Sequence, residues 1–303
     1  MTKNVFITGG LGQDGKILID LLISKKVKLN VLFRNKKKNI KKRNVQFIYS
    51  DLKNEKKLNK IFLKIKPDIV VHLAANNPSY NQKSYKIFYK DNMDTTKNIF
   101  YSTFKSNLKA KFIFCSSSQI FQKKSGSVYE KSKNKMSSNY TKFRVEADKL
   151  MLKFKKKYKI KYTNAILFNH DSKYRNKKFI IPKLVYHIKK NKISFINKII
   201  KKNIYADFSH ADDICNGIKK LMFSKFNIDK IIFSSNKNIS LNEIILYLIK
   251  KNKIKMNINL INRKFKKGLI GNNHLAKKKL NWVTKKNIFI AAQEIFKSIP
   301  LKL

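Results

Sequence analysis

Cysteine is nearly absent from this 303-residue chain: Cys115 and Cys215 are the only two. So few thiols over this length exclude a disulfide framework and point to a reducing compartment. No apolar run approaches the ~18–20 residues that cross a bilayer. The strand-like run Val5-Phe6-Ile7-Thr8 begins so near the first residue that no signal peptide fits before it, and a cytoplasmic location is expected. Acidic residues are few as well, 17 against 70 basic ones, which leaves a formal charge of +53. Arginine is rare among the basic residues, with Arg34, Arg43, Arg144, Arg175 and Arg263 against 65 lysines. Base reading and stacking favour arginine, and the lysines are spread over the whole length. The charge therefore does not mark a specific nucleic-acid site, and implies only weak, salt-sensitive adhesion to polyanions. Lysine, asparagine, isoleucine, phenylalanine and tyrosine have AT-rich codons, whereas arginine, glycine (8 residues) and proline (4) mostly have GC-rich ones. The composition reads as drift in an AT-biased genome, and each remaining glycine or arginine stands against that drift. At 43% hydrophobic and 12% aromatic, the chain is too apolar for a disordered basic tail. Its length allows one large domain or two modest ones.

Strands alternate with helical patterns through the first half. Strands are expected at Val5–Thr8, Leu29–Phe33, Val45–Tyr49, Ile69–Ala74, Lys111–Cys115 and Tyr162–Phe168. Helices are expected at Gln13–Ser24, Leu58–Ile65, Asp91–Ser106 and Asn139–Tyr158. This order predicts an α/β fold, a doubly wound parallel sheet with helices on both faces. After about residue 170 the pattern loosens, with helices at Phe179–Lys190, Ala211–Phe223, Leu241–Lys250 and Asn287–Lys297. No repeat and no low-complexity linker interrupts it. A cofactor domain is expected over 1–170. A smaller, mainly substrate-binding part is expected over 171–303, with some segments returning to the first.

The first strand runs into Gly9-Gly10-Leu11-Gly12-Gln13-Asp14-Gly15, with a helix after it. Gly9, Gly12 and Gly15 give G-x-x-G-x-x-G, the spacing of a Rossmann dinucleotide turn. The first permits a tight turn, the second lets the backbone approach a pyrophosphate, and the third allows close packing of helix on strand. A turn without a ligand is the structural alternative. After the second strand, where an acid would accept the ribose 2′-hydroxyl of NAD, stands Phe33-Arg34-Asn35-Lys36. Arg34, supported by Lys36 or Lys37, is expected to clamp the 2′-phosphate of NADP. A solvated basic turn is the alternative. Asp51 and Leu52 are placed to meet the adenine, and Leu73 and Ala74 to end the fourth strand beside the cofactor.

These motifs resemble the extended short-chain dehydrogenase/reductase family of sugar-nucleotide epimerases and dehydratases, and within it the GDP-mannose 4,6-dehydratases. Thr8–Gly15 is similar to TGxTGQDG. Leu167–Ser172 resembles LFNHES, and Asp207–Asp213 resembles RDWGHAKDY in a shifted form. Leu269–Asn272 with Ala276–Trp282 resembles LLGD…AKxxLGW. The resemblance covers nearly the whole chain and implies Gly9, Gly12, Gln13, Asp14 and Gly15 as cofactor contacts. It implies a Tyr-x-x-x-Lys pair and a Ser/Thr after the fifth strand as the catalytic set. In such a set the Tyr phenolate takes the proton of the sugar 4-OH, and the Lys binds the nicotinamide ribose and lowers the Tyr pKa.

Here Ser138–Asp148 sets the register on SPYxxSKxxAE and puts Tyr140 at the Tyr and Arg144 at the Lys. Lys142 is two residues on, about 200° around a helix, and does not substitute. Tyr129 and Lys133 also make Y-x-x-x-K, but before the helix and in a lysine-rich chain where chance supplies such pairs. Arg144 gives a fixed charge and ribose donors without the geometry of lysine. In Cys115-Ser116-Ser117-Ser118-Gln119, Ser117 falls on the hydroxyl residue and Gln119 on the glutamate that handles the C5 proton. An amide offers hydrogen bonds only. The resemblance thus implies dehydration of a GDP-hexose, while Gln119 keeps open a 4-keto-sugar reductase or epimerase, or a decayed relative.

The resemblance also implies Asn169 at the substrate diphosphate, His170 beside the nicotinamide, and Lys183, Arg175 and Arg263 as substrate contacts. A turn cap for Asn169 and solvated charges for Lys183 and Arg263 are the alternatives. Asp212 and Asp213 are read as acids at a helix N-terminus rather than metal ligands, and no metal is expected. By analogy with relatives, the helices at Asp91–Ser106 and Asn139–Tyr158 are expected to form a homodimer or homotetramer.

Overall fold

The structure, a computed structural model, describes residues 2–34, 41–77, 85–259 and 265–300. In chain order its elements begin with β1 (Lys3–Thr8), α1 (Gln13–Leu22), β2 (Val27–Phe33), β3 (Val45–Tyr49), α2 (Glu55–Ile65) and β4 (Ile69–His72). Next come α3 (Tyr85–Ser106), β5 (Lys111–Ser117), a 3-10 turn at Ser118–Ile120, β6 (Gly126–Val128), α4 (Asn139–Tyr158) and β7 (Lys161–Leu167). Then follow β8 (Asn169–Asp171), α5 (Ile180–Lys189), α6 (Ile193–Lys202), β9 (Tyr205–Ala206), β10 (Phe208–His210) and α7 (Ala211–Phe223). The last are β11 (Lys230–Phe233), β12 (Ile239–Ser240), α8 (Leu241–Lys251), β13 (Leu269–Gly271), α9 (His274–Leu280) and α10 (Ile288–Ser298). They fall into two compact units. The first is Met1–Ile120, Asn134–Ile166 and Cys215–Ile231; the second is Phe121–Lys133, Leu167–Ile214 and Ile232–Leu303.

The first unit is built on a seven-stranded parallel sheet in the order β11-β7-β5-β4-β1-β2-β3. The strand order reverses between β1 and β4, which pair in register from Val5–Ile69 to Thr8–His72. Ligand crevices of such sheets lie outside the carboxyl ends of the strands at that reversal. Alternate residues divide between the two faces. Phe6, Leu32, Val70, Phe112, Phe114 and Tyr162 share one buried cluster with α2, α3 and α4. Val5, Ile7, Val31, Val71 and Ile113 are buried with the opposite parity. Phenylalanine supplies much of the first cluster, with Phe100 edge-on to several rings, 5.0 Å from Phe104 and 5.2 Å from Phe112. This is the expected fold class.

Boundaries shift in places. β4 ends at His72, not Ala74, because the Ala74 N–H bonds to the Thr8 hydroxyl instead of a ladder partner. α3 begins at Tyr85 rather than Asp91, and α1 ends at Leu22 rather than Ser24. α4 has the expected bounds, because Ser138 closes a capping box with Thr141.

The second unit has only short strands, paired β6 with β13, β8 with β10, and β9 with β12. Its core is an isoleucine-rich cluster shared by α5, α6, α8 and α10. α6, α9, the strands of two or three residues and the seven-stranded sheet's edge strand β11 were not expected from the sequence. Among the described residues no helix is long and apolar enough to cross a membrane.

Candidate active site

The chain leaves β1 through Gly9, whose φ is +71°. A Cβ there would stand 2.9 Å from Ala74 N, so the turn lies directly on the end of β4. A Cβ on Gly15 would meet Gly10 Cα at 2.4 Å, and one on Gly10 would meet Val31 Cγ1 at 2.0 Å. Gly15 thus packs the helix onto the turn rather than onto a strand. Gly10, which had no assigned role, packs the turn onto β2. Gly12 is different. Its φ is −71°, and a Cβ would meet only Gly9 O at 3.2 Å. Its conformation does not demand glycine, in a chain that has asparagine or lysine at eight described positions of positive φ, and that carbonyl is the one atom a Cβ would press on. The space beside Gly12, at the N-terminus of α1, is a cradle that a Cβ would fill. Gln13 is buried and donates to Asp14 Oδ1 at 3.1 Å, while Asp14 O accepts from Cys215 Sγ at 3.6 Å.

A buried relay fixes this turn. Thr8 Oγ1 accepts from Ala74 N at 3.3 Å and bonds His72 Nδ1 at 2.7 Å, and His72 Nε2 bonds Thr96 Oγ1 at 3.0 Å. With the Thr8 hydroxyl donating to Nδ1, the ring carries its proton on Nε2 and donates to Thr96. Burial, aided by the charge of Arg144, lowers the His72 pKa to about 3, so the ring is neutral.

Arg34 follows β2 as an exposed side chain and donates from Nη1 to Asn76 Oδ1 at 3.1 Å. Lys36 and Lys37 lie outside the described residues. Asp51 is exposed after β3 and accepts from Lys53 N at 2.9 Å. Leu52 is half-buried, with its carbonyl held by Asn98 Nδ2 at 3.0 Å. Leu73 and Ala74 are half-buried past the end of β4.

Tyr140 and Arg144 lie one turn apart on α4, and both are buried. Arg144 Nη2 donates to Tyr140 Oη at 3.3 Å, and Nη1 donates to the Cys115 carbonyl on β5. The guanidinium carbon is 5.1–5.3 Å from the rings of Phe114, Tyr140 and Phe143. No carboxylate pairs with it among the described residues, and its Nε is buried without a partner. Aromatic faces and a carbonyl are what offset a charge that burial would otherwise expel. Ser117 ends β5 half-buried and accepts from Gln119 N at 3.3 Å. Gln119 is exposed on the 3-10 turn. Lys142 is exposed and sits 5.2 Å over the Tyr89 ring, away from Arg144's partners. The thiol of Cys115 is pushed far up by burial and is inert.

The remaining candidates are in the second unit. Asn169 is exposed on β8 and donates to Asp207 O at 3.3 Å. His170 is buried, its Nδ1 2.6 Å from Phe168 O. Arg175 is paired with Asp171 at 3.2 Å, and its guanidinium lies 3.6 Å over the Phe179 ring. Lys183 is exposed on α5, 5.4 Å over Phe195. Arg263 lies outside the described residues. Asp212 and Asp213 occupy the first turn of α7, and Asp213 accepts from Lys285 N and Lys286 N. Tyr129 is exposed and precedes α4, as does Lys133.

The family model described as GDP-mannose 4,6 dehydratase matches residues 6–294. GDP-mannose 4,6 dehydratase 2 of Arabidopsis thaliana is 26% identical over 234 residues, 70% of this chain and 62% of that protein. The match therefore spans less than two thirds of that relative's length. Among solved structures, UDP-glucose 4-epimerase of Thermotoga maritima, determined with UDP-glucose, superposes with a TM-score of 0.82 at 18% identity, covering 97% of this chain and 98% of that one. RMD from Pseudomonas aeruginosa, complexed with NADPH, gives 0.78 at 16% identity, covering 98% and 97%. At such identities these structures share the fold alone. With the family model matching nearly end to end, the chain belongs to the GDP-mannose 4,6-dehydratase family of extended short-chain dehydrogenase/reductase, nucleotide-sugar enzymes.

Proposed function

We propose that this chain is an NADP-dependent enzyme acting on the 4-hydroxyl of a GDP-hexose, with GDP-mannose 4,6-dehydration as the reaction. The observation that carries the reading is the buried Tyr140–Arg144 pair, 3.3 Å apart on one face of α4. The first unit's residues fit a dinucleotide. Gly12 leaves a cradle at a helix N-terminus, and Arg34 is a guanidinium with no carboxylate partner among the described residues. NADP bound there supplies the acceptor and donor of a hydride. Tyr140 Oη takes the proton of the sugar hydroxyl, and Ser117 Oγ hydrogen-bonds the same oxygen. Arg144 fixes Tyr140 and keeps further N–H donors for ribose hydroxyls. A guanidinium offers donors and no acceptor, so Arg144 orients and stabilises but takes up no proton. His170, Asn169, Lys183 and Arg175 are assigned to the nicotinamide and sugar-nucleotide side, and Arg263 to the diphosphate. α3 and α4 are assigned to a homodimer interface.

Gln119 favours a second reading. Its amide neither removes the C5 proton nor protonates a leaving oxygen. A 4-keto nucleotide-sugar reductase or epimerase needs neither step. Mass spectrometry of the purified protein with NADP and GDP-mannose separates the two. Loss of one water, abolished in Tyr140→Phe, is the outcome expected for dehydration. No loss with NADP binding intact, and NADPH consumed on the 4-keto sugar, moves the assignment to the reductase. Failure to bind NADP at all removes both.

A further inference from the structure

The cofactor side of the site contains a residue that no family motif quoted above assigns. Asn76 lies past β4, and its side-chain oxygen accepts from Arg34 Nη1 at 3.1 Å. That oxygen is placed by a second asparagine. Asn92, on α3 and 1% exposed, grips the main chain of Asn76 from both sides. Asn76 N donates to Asn92 Oδ1 at 2.7 Å, and Asn92 Nδ2 donates to Asn76 O at 3.0 Å. Two residues earlier, Ala74 N is fixed by Thr8 Oγ1. The segment carrying Asn76 is therefore anchored at both ends, to β1 and to α3.

We infer that Asn76 is a specificity-determining residue for the adenosine ribose, and that with Arg34 it forms a site for a phosphomonoester dianion. The inference rests on the NADP reading above. An amide whose oxygen faces a guanidinium turns its NH2 away from that contact. Among the described residues the Asn76 NH2 has no partner and Arg34 has no carboxylate. Among the described residues the pair thus presents amide donors and one positive charge with no carboxylate against it. A 2′-phosphate accepts from both groups. A 2′-hydroxyl gains far less from such a surface, since it carries no charge to meet the guanidinium. A carboxylate in place of the amide would pair with Arg34 and cancel the charge.

The test is the dissociation constant of NADP and of NAD, each by titration calorimetry on the full chain, with thermal melts to establish folding. Asn76→Ala is expected to weaken NADP about three- to tenfold, the net worth of one ordinary hydrogen bond, with NAD changed less than about twofold. Asn76→Asp is expected to weaken NADP by more than about tenfold and to narrow the NADP/NAD ratio further. Asn92→Ala adds no charge and should narrow the ratio in the same direction by releasing Asn76. An unchanged ratio in Asn76→Ala, or equal losses for both cofactors, overturns the assignment. Arg34→Ala keeps the two readings apart. If it destroys an NADP preference that Asn76→Ala leaves intact, the NADP reading stands and this one falls. If the unaltered protein shows no preference for NADP, both fall.

Discussion

In the first unit two sets of buried polar side chains bond one another: Thr8, His72 and Thr96 in one relay, Tyr140 and Arg144 in another. In the second unit two buried carboxylates face mostly main chain. Asp207 accepts from Ser235 N at 2.8 Å, Ser235 Oγ at 2.6 Å, Asn236 N at 2.9 Å and Gly271 N at 3.2 Å. Asp213 accepts from Lys285 N and Lys286 N. The difference follows from the strands. A seven-stranded sheet satisfies its own N–H and C=O groups, which leaves side chains available to build a site. Strands of two or three residues satisfy little, and buried carboxylates take over the loop amides.

The largest test of this contrast is Asp207→Ala. It leaves three N–H groups and one hydroxyl without their acceptor and is expected to cost about 3–5 kcal/mol in urea unfolding. Retained stability would mean that these loops satisfy themselves. Acidification gives the next largest effect, with opposite signs in the two units. His72 has a folded pKa of about 3 against an ordinary 6.5. Between those values the unfolded chain binds a proton that the folded chain refuses. This contribution is complete above pH 6.5 and is lost as pH falls toward 3, on the order of a few kcal/mol. Asp207 is pushed by burial from 3.8 up to about 6, against the pull of its four donors. The folded state there holds a proton that the unfolded state releases, so stability from this group declines as pH rises from 3.8 to 6. Unfolding followed from pH 3 to 7 in His72→Asn should lose the rise with pH, and in Asp207→Asn the decline. A His72→Asn slope equal to that of the unaltered chain would refute the buried neutral ring.

The smallest effect sharpens the comparison at helix ends. α2 and α4 of the first unit end in left-handed lysines, Lys66 with φ 47° and Lys159 with φ 53°. α6 and α9 of the second end in left-handed asparagines, Asn203 and Asn281. Asparagine tolerates that conformation better than lysine. Lys66→Gly is expected to raise stability by about 1 kcal/mol, and Asn281→Gly by less. Equal gains in thermal midpoint would remove the distinction. These caps are where a glycine-poor composition meets a geometric demand. Glycine is retained where a Cβ would strike backbone, at Gly9 and Gly15.

The sequence by itself determined six of the seven strands of the first unit's sheet, the glycine turn and the Tyr140–Arg144 spacing. Each of these is local: a two-residue or 3.6-residue period, a turn between strand and helix, or two side chains one helical turn apart. Ser138 even fixed the start of α4, because a capping box closes within four residues. α6, α9 and the short strands were decided only in the tertiary structure. A strand of two or three residues carries no readable period, and its pairing is made with distant chain. The same holds for the supports of the site. Arg34 is separated from Asn76 by 42 residues, and Thr8 from His72 by 64. Asparagine and histidine in those positions have no local pattern to announce them. Only the reversal of strand order at β1 and β4 brings their polar atoms within hydrogen-bond distance, and burial then obliges Thr8 and His72 to pair.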